Sequence, residues 1–161
     1  MQTPAEYPPI VIRGAGVVSP CGSTLDDFWD GLVAAEHTAA TLLQFEELEG
    51  FEALGCPASG FDPASRFERH ELRRLDRSHQ LAFWAAEDAL EAADDGPEPE
   101  RCAVVVGIGI GAIGYLENQF HTLMQRGLRS LSPLTIPVSM PNSIAGHLSM
   151  RHGYRGPAIT V

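Results

Sequence analysis

Apolar positions recur along the chain in two rhythms. Ile10-Val-Ile12 is a short β-rich run ending in Gly14-Ala-Gly16, which predicts a first strand and turn. Thr24 then precedes Leu25, Phe28, Trp29, Leu32 and Val33, the spacing of a helix with a hydroxyl placed to cap its start. The most persistent 3.6-residue stripe is Leu72, Leu75, Leu81, Ala82, Ala85, Ala86, Ala89, Leu90 and Ala93, closed by Asp94-Asp-Gly-Pro97. It predicts a helix whose alanines let a neighbour approach closely. Cys102-Ala-Val-Val-Val-Gly107 is a continuous apolar run of the kind found in a strand covered on both faces. It feeds a glycine-rich turn and a predicted helix from about Ile113 to Gln125. Pro133, Pro137 and Pro141 punctuate the next apolar stretch, and Asn142 is placed to N-cap a helix through about His152. Gly156-Pro157 then releases a last strand, Ala158-Ile-Thr-Val161.

From Glu36 to Phe67 the pattern loosens into a weak helix over Leu42 to Leu54 and turn chemistry at Gly55-Cys-Pro and Gly60-Phe-Asp-Pro. That is too long for a simple connection, so residues 37–66 are expected to form a surface excursion that holds no catalysis. With 161 residues, 44% hydrophobic and 20% charged, the chain has the composition of one globular domain, expected to span residues 1–161. Strand, glycine turn and helix in succession predict an α/β class.

The formal net charge of −10 argues against nucleic acid, and it is unevenly distributed. All 21 acidic residues lie at or before Glu117, leaving residues 1–117 at −14 and residues 118–161 at +4. A 44-residue stretch without Asp or Glu is expected to be buried or interfacial. Its arginines, Arg126, Arg129, Arg151 and Arg155, are placed to meet acidic groups elsewhere. No apolar run approaches the ~20 residues of a membrane span, and the N-terminus lacks the features of a signal peptide, so a cytoplasmic protein without membrane contact is expected.

Gly109-Ile-Gly111-Ala-Ile-Gly114 matches G-x-G-x-x-G between a strand and a helix, which suggests a dinucleotide site. The acidic residue expected ~20 positions further on is missing, and the glycines are better read as allowing close approach of strand, turn and helix. His147 and His152 are five apart and do not share a helix face as a metal pair would, so packing or interfacial hydrogen bonding is expected of both, and His121 should be solvated. Cys21, Cys56 and Cys102 form an odd set with neither disulfide nor zinc spacing, and no metal site is indicated.

Four segments in this order and spacing resemble the β-ketoacyl synthases of the thiolase fold. They are Val11-Ile-Arg-Gly-Ala-Gly-Val-Val-Ser-Pro20, Leu72-Arg-Arg-Leu-Asp-Arg77, Val104-Val-Val-Gly-Ile-Gly-Ile-Gly111 and Met140-Pro-Asn-Ser-Ile-Ala-Gly-His-Leu-Ser-Met-Arg-His-Gly-Tyr-Arg-Gly-Pro157. The last looks more like condensing subunits than chain-length factors. The resemblance implies the N-terminal half of a layered α/β fold with a mixed sheet, completed by a second half in another chain. It also implies that the nucleophilic cysteine would follow Val161, with both family histidines beyond it, so no catalytic residue is expected in this chain.

By the same resemblance, Ile110 occupies the gate-like position of an acyl pocket, while Leu134, Ile136 and Met140 lie in the stretch lining its channel, although each is equally readable as core. Arg69, Arg73 and Arg74 align with the region that meets an acidic acyl carrier protein bearing phosphopantetheine, or else form a solvated helix start balanced by Glu68, Glu71 and Asp76. No cofactor is expected on the chain itself. The expected partners are the carrier protein and a C-terminal ketosynthase half carrying Cys-His-His, in a twofold hetero-oligomer with two copies of each half, the last strand pairing with its twin. Alone, the chain is expected to aggregate or stay partly unfolded. One expected activity is decarboxylative Claisen condensation by the completed enzyme. A non-catalytic scaffold that shapes a chain-length pocket or holds a carrier protein is the alternative, and the sequence being part of a longer single-chain enzyme is a third.

Overall fold

In the computed structural model, residues 9–42, 53–93, 96 and 98–161 are described. The centre is a parallel pair of strands, β3 (Val104–Val106) and β4 (Ala158–Thr160), in register Val104↔Ala158 and Val106↔Thr160. Backbone bonds extend the ladder at both ends, from Val104 N to the Pro157 carbonyl and from Ile108 N to that of Val161. The crossover between them carries α4 (Ile113–Arg126), α5 (Thr135–Ser139) and α6 (Ser143–His152). Ahead of β3 stand α1 (Leu25–Val33), α2 (Arg69–Leu72) and α3 (Arg77–Glu91). A separate antiparallel ribbon pairs β1 (Ala40–Thr41) with β2 (Leu54–Gly55).

Phe67, Phe83, Ile144 and Leu148 form the buried centre, and Leu72, Leu75, Trp84, Val104, Val106 and Ile108 pack against it. Each of the four buried side chains contributes about 1.5–3 kcal/mol by leaving water, and the partly buried ones less. Because strand side chains alternate, Val104 and Val106 face this core while Val105 points the other way and is 64% exposed. The expectation of a strand covered on both faces is therefore corrected: among the described residues, α6 with α3 packed against it covers one face, and the other stands open at Val105.

Three other expectations are corrected. Ile10-Val-Ile12 is not a strand but exposed chain. The segment after it runs along α3 instead, so closely that a Cβ built on Gly14 or Gly16 would lie 2.0 Å from the carbonyl oxygen of Ala89 or Ala85. The glycines and the small α3 face thus meet backbone to backbone, the close approach that the alanines suggested. The stripe beginning at Leu72 is two helices rather than one, because Asp76 turns the chain and caps α3: its Oδ1 accepts from Ser78 N at 2.8 Å. Asn142 holds the N-cap position of α6 but its side chain makes no capping bond.

Thr24 caps α1, accepting from Asp27 N at 3.1 Å and donating to Asp27 Oδ2 at 2.7 Å. The weak helix expected from Leu42 to Leu54 lies mostly outside the described residues, as does most of Asp94–Pro97, and where it re-enters Leu54 is in strand β2. The end of the 37–66 segment is anchored by Phe61, edge-on to Trp84 at 5.2 Å, and by Arg66, which pairs with Asp88 at 2.6 Å and lies 4.1 Å above the Trp84 ring.

Candidate functional site

A cavity of about 440 Å³ opens between α2, α3, α5 and α6. Leu75, Phe83, Leu134, Pro137, Val138 and Met150 supply its apolar wall, and His70, Glu71, Arg74, His147 and Arg151 its polar side. The apolar wall depends on where α5 sits. Gln119 of α4 fixes that, its Oε1 accepting from Ser132 N at 2.9 Å and from Thr135 Oγ1 at 3.1 Å.

The predicted site residues fall into two groups. Leu134 and Arg74 line the cavity together. Ile110, Ile136 and Met140 do not, being 71%, 66% and 45% exposed. The glycine turn after Ile110 packs beside Pro141, the residue after Met140, with Gly111 at φ +90° to make the bend. Arg69, Arg73 and Arg74 are all exposed, on or immediately after α2.

The glycine fingerprint is resolved by a residue outside it. Asp76 is buried, and its Oδ2 accepts from Tyr115 N at 3.0 Å, so a carboxylate of the protein itself occupies the first turn of α4 where a phosphate would otherwise be favoured. A Cβ built on Gly114 would lie 3.6 Å from Asp76 Oδ2, an ordinary contact, so this approach does not itself require a glycine.

Two arginines of the acid-free stretch find the acids predicted for them. Arg151 donates through Nη1 to Glu71 and through Nε to Glu87, both at 2.6 Å, and its guanidinium lies 5.7 and 5.9 Å from the Phe67 and Phe83 rings. Arg155 reaches Glu100 at 3.1 Å. Glu71 is held below the usual carboxylate range, chiefly by the Arg151 hydrogen bond and then by the Glu68 backbone N–H.

Sequence reasoning missed a buried polar cluster. His79 is 1% exposed, its Nε2 is 2.9 Å from Ser143 Oγ, and the His147 ring, with its centroid 5.4 Å away, has its Nδ1 3.5 Å from the same hydroxyl. His79 Nδ1 has no hydrogen-bond partner among the described residues. Burial, then the nearness of His147, push His79 down to about 4 against a smaller opposing pull from Asp76, and burial also lowers His147. The signal was present: His79 and Phe83 are four apart, which puts the imidazole one turn before the buried Phe83 on the same face of α3.

Cys102 is buried, its Sγ donating to the Glu98 carbonyl at 3.0 Å; Cys21 is partly exposed and Cys56 exposed, and none stands in the first turn of a helix. Among the described residues no group of three His, Cys, Asp or Glu side chains is placed to hold a metal, and no helix is long and apolar enough to cross a membrane.

A parallel strand pair joined by a helical crossover, with α6 and α3 packed on one side, defines an α/β protein. The fold superimposes on the ishigamide ketosynthase/chain length factor with a TM-score of 0.77 at 26% identity, over 94% of this chain and 43% of that one. It also superimposes on a chain of the structure of a type II polyketide-synthase acyl-carrier protein in complex with its ketosynthase, with a TM-score of 0.73 at 22% identity, over 94% of this chain and 41% of that one. Residues 8–161 match the family described as "Beta-ketoacyl synthase, N-terminal domain", and the chain belongs to that family. The 3-oxoacyl-[acyl-carrier-protein] synthase 2 of Vibrio cholerae is 31% identical over 157 residues, which are 94% of this chain and 37% of that protein. The chain thus spans less than two-fifths of the length of this curated relative.

Proposed function

We propose that this chain is the N-terminal part of a β-ketoacyl synthase working in fatty-acid or polyketide assembly, active together with a C-terminal half that supplies the Cys-His-His set. The observation that carries this is the open side of the β3–β4 sheet. Parallel sheets are stable when covered on both faces, yet Val105 and Ile159 stand 64% and 47% exposed, with Ile110 and Ile136 also exposed beyond them. A second α/β half is the cover this reading calls for.

In the completed enzyme an acyl group passes to the cysteine and malonyl carrier protein loses carbon dioxide. The enolate so formed attacks the acyl thioester, making the carbon–carbon bond as the acyl carbon–sulfur bond breaks and the cysteine leaves as its thiolate. This chain contributes one domain, 1–161, with Ile110, Leu134, Ile136 and Met140 as acyl-channel wall and Arg69, Arg73 and Arg74 as the face for an acidic, phosphopantetheine-bearing carrier protein. Twofold pairing through β4 gives two copies of each half.

The test is affinity purification of the tagged chain from its native host, with intact mass and labelling by a cysteine-directed condensing-enzyme inhibitor. A labelled C-terminal half, continuous with this chain or bound to it, and carbon dioxide release from malonyl carrier protein are expected. A stable, unlabelled lone subunit would overturn the proposal in favour of a carrier-binding scaffold.

A further inference from the structure

Helix α2 is a single turn of four residues, Arg69–Leu72, far below the length at which a helix holds itself in water. Something else must set the direction of the arginines it carries. Glu71 divides its two carboxylate oxygens between the necessary tasks. Oε2 accepts from Glu68 N at 3.0 Å and closes the turn from within, while Oε1 accepts from Arg151 Nη1 at 2.6 Å and ties the turn to α6. Arg151 is itself held by Glu87 of α3 and by the Phe67 and Phe83 rings, so it is a fixed point.

We infer that Glu71 is the positioning residue of the carrier-docking face, fixing Arg69, Arg73 and Arg74 relative to the acyl-channel wall through Arg151. This rests on the reading of those arginines as carrier-facing. Its electrostatic sign makes it distinctive. An acid among arginines opposes an acidic partner, so deleting its charge should tighten binding if charge alone mattered; as an anchor, the same deletion should loosen it.

The experiment measures the Kd of acyl carrier protein for the assembled synthase at several salt concentrations. Glu71→Gln is expected to weaken binding about three- to tenfold with the slope of log Kd against log salt unchanged, because every arginine remains. Glu68→Gln deletes the same charge from the N-cap of α2 while keeping a side-chain oxygen to accept in its capping box and leaving the Glu71–Arg151 tie intact, and is expected to leave Kd unchanged or lower it. Should Glu71→Gln fail to fold, Glu71→Asp keeps the charge, shortens the reach and carries the same expected loss. Equal or tighter binding by the Glu71 variant overturns the inference. Double reversal of Arg73 and Arg74 to Glu distinguishes the underlying reading: if it leaves affinity and salt dependence unchanged, the carrier assignment falls and this proposal with it.

Discussion

Replacing Asp76 with alanine removes three hydrogen bonds at one stroke. Oδ1 accepts from Ser78 N at 2.8 Å and from Ser78 Oγ at 2.6 Å, capping α3, and Oδ2 accepts from Tyr115 N at 3.0 Å in the first turn of α4. Loss of an N-cap costs about 1 kcal/mol, and loss of a buried bond to a charged acceptor costs about 1.5–3 kcal/mol. The variant should therefore lose about 2–4 kcal/mol. For a chain of this size each kcal/mol lowers Tm by about 2–4 °C, so thermal denaturation of the assembled protein, followed by circular dichroism, should show a fall of roughly 4–16 °C. Asp76→Ser separates the two contributions, since a serine hydroxyl caps α3 but has no second oxygen for Tyr115. It should recover about 1 kcal/mol and no more. If the alanine variant melts with the parent, or the serine variant restores the full Tm, then Asp76 is not what joins the two helix starts, and the account of the glycine turn fails.

Two further predictions concern the packing of α3. Gly16→Ala places a Cβ 2.0 Å from the Ala85 carbonyl oxygen and 2.9 Å from Asp88 Cβ, a clash with backbone that costs at least about 1–3 kcal/mol; an unchanged urea midpoint would show that the segment does not run along α3. Burial and His147 hold His79 below its unfolded value, at about 4, so its contribution is present above pH ~6.5 and is lost as pH falls toward the folded value. Urea denaturation at stepped pH should lose about 1.5–2 kcal/mol between pH 6.5 and 5 from this group, and a parent profile no steeper than that of His79→Leu would refute it.

Local chemistry made much of the chain legible in advance. The i, i+4 stripes, the hydroxyl before α1, the glycine turn before α4 and the Gly156-Pro157 break before β4 act within one or two turns, so the sequence by itself determined α1, α4, α6, the body of α3, the last two strands and the α/β class, but neither α5 nor the division between α2 and α3. Family resemblance likewise rested on short segments in order, and residues 8–161 match that family throughout. What only the tertiary structure decided are the pairings across long separations. Arg151 meets Glu87 and Glu71 across 64 and 80 positions, and His79 meets Ser143 across 64. No periodicity encodes such a meeting, because it depends on how α6 crosses α3. The same holds for Ile10-Val-Ile12, whose composition suits a strand but which stands outside the sheet. A strand is defined by its neighbour, and a neighbour is a property of the fold rather than of the segment.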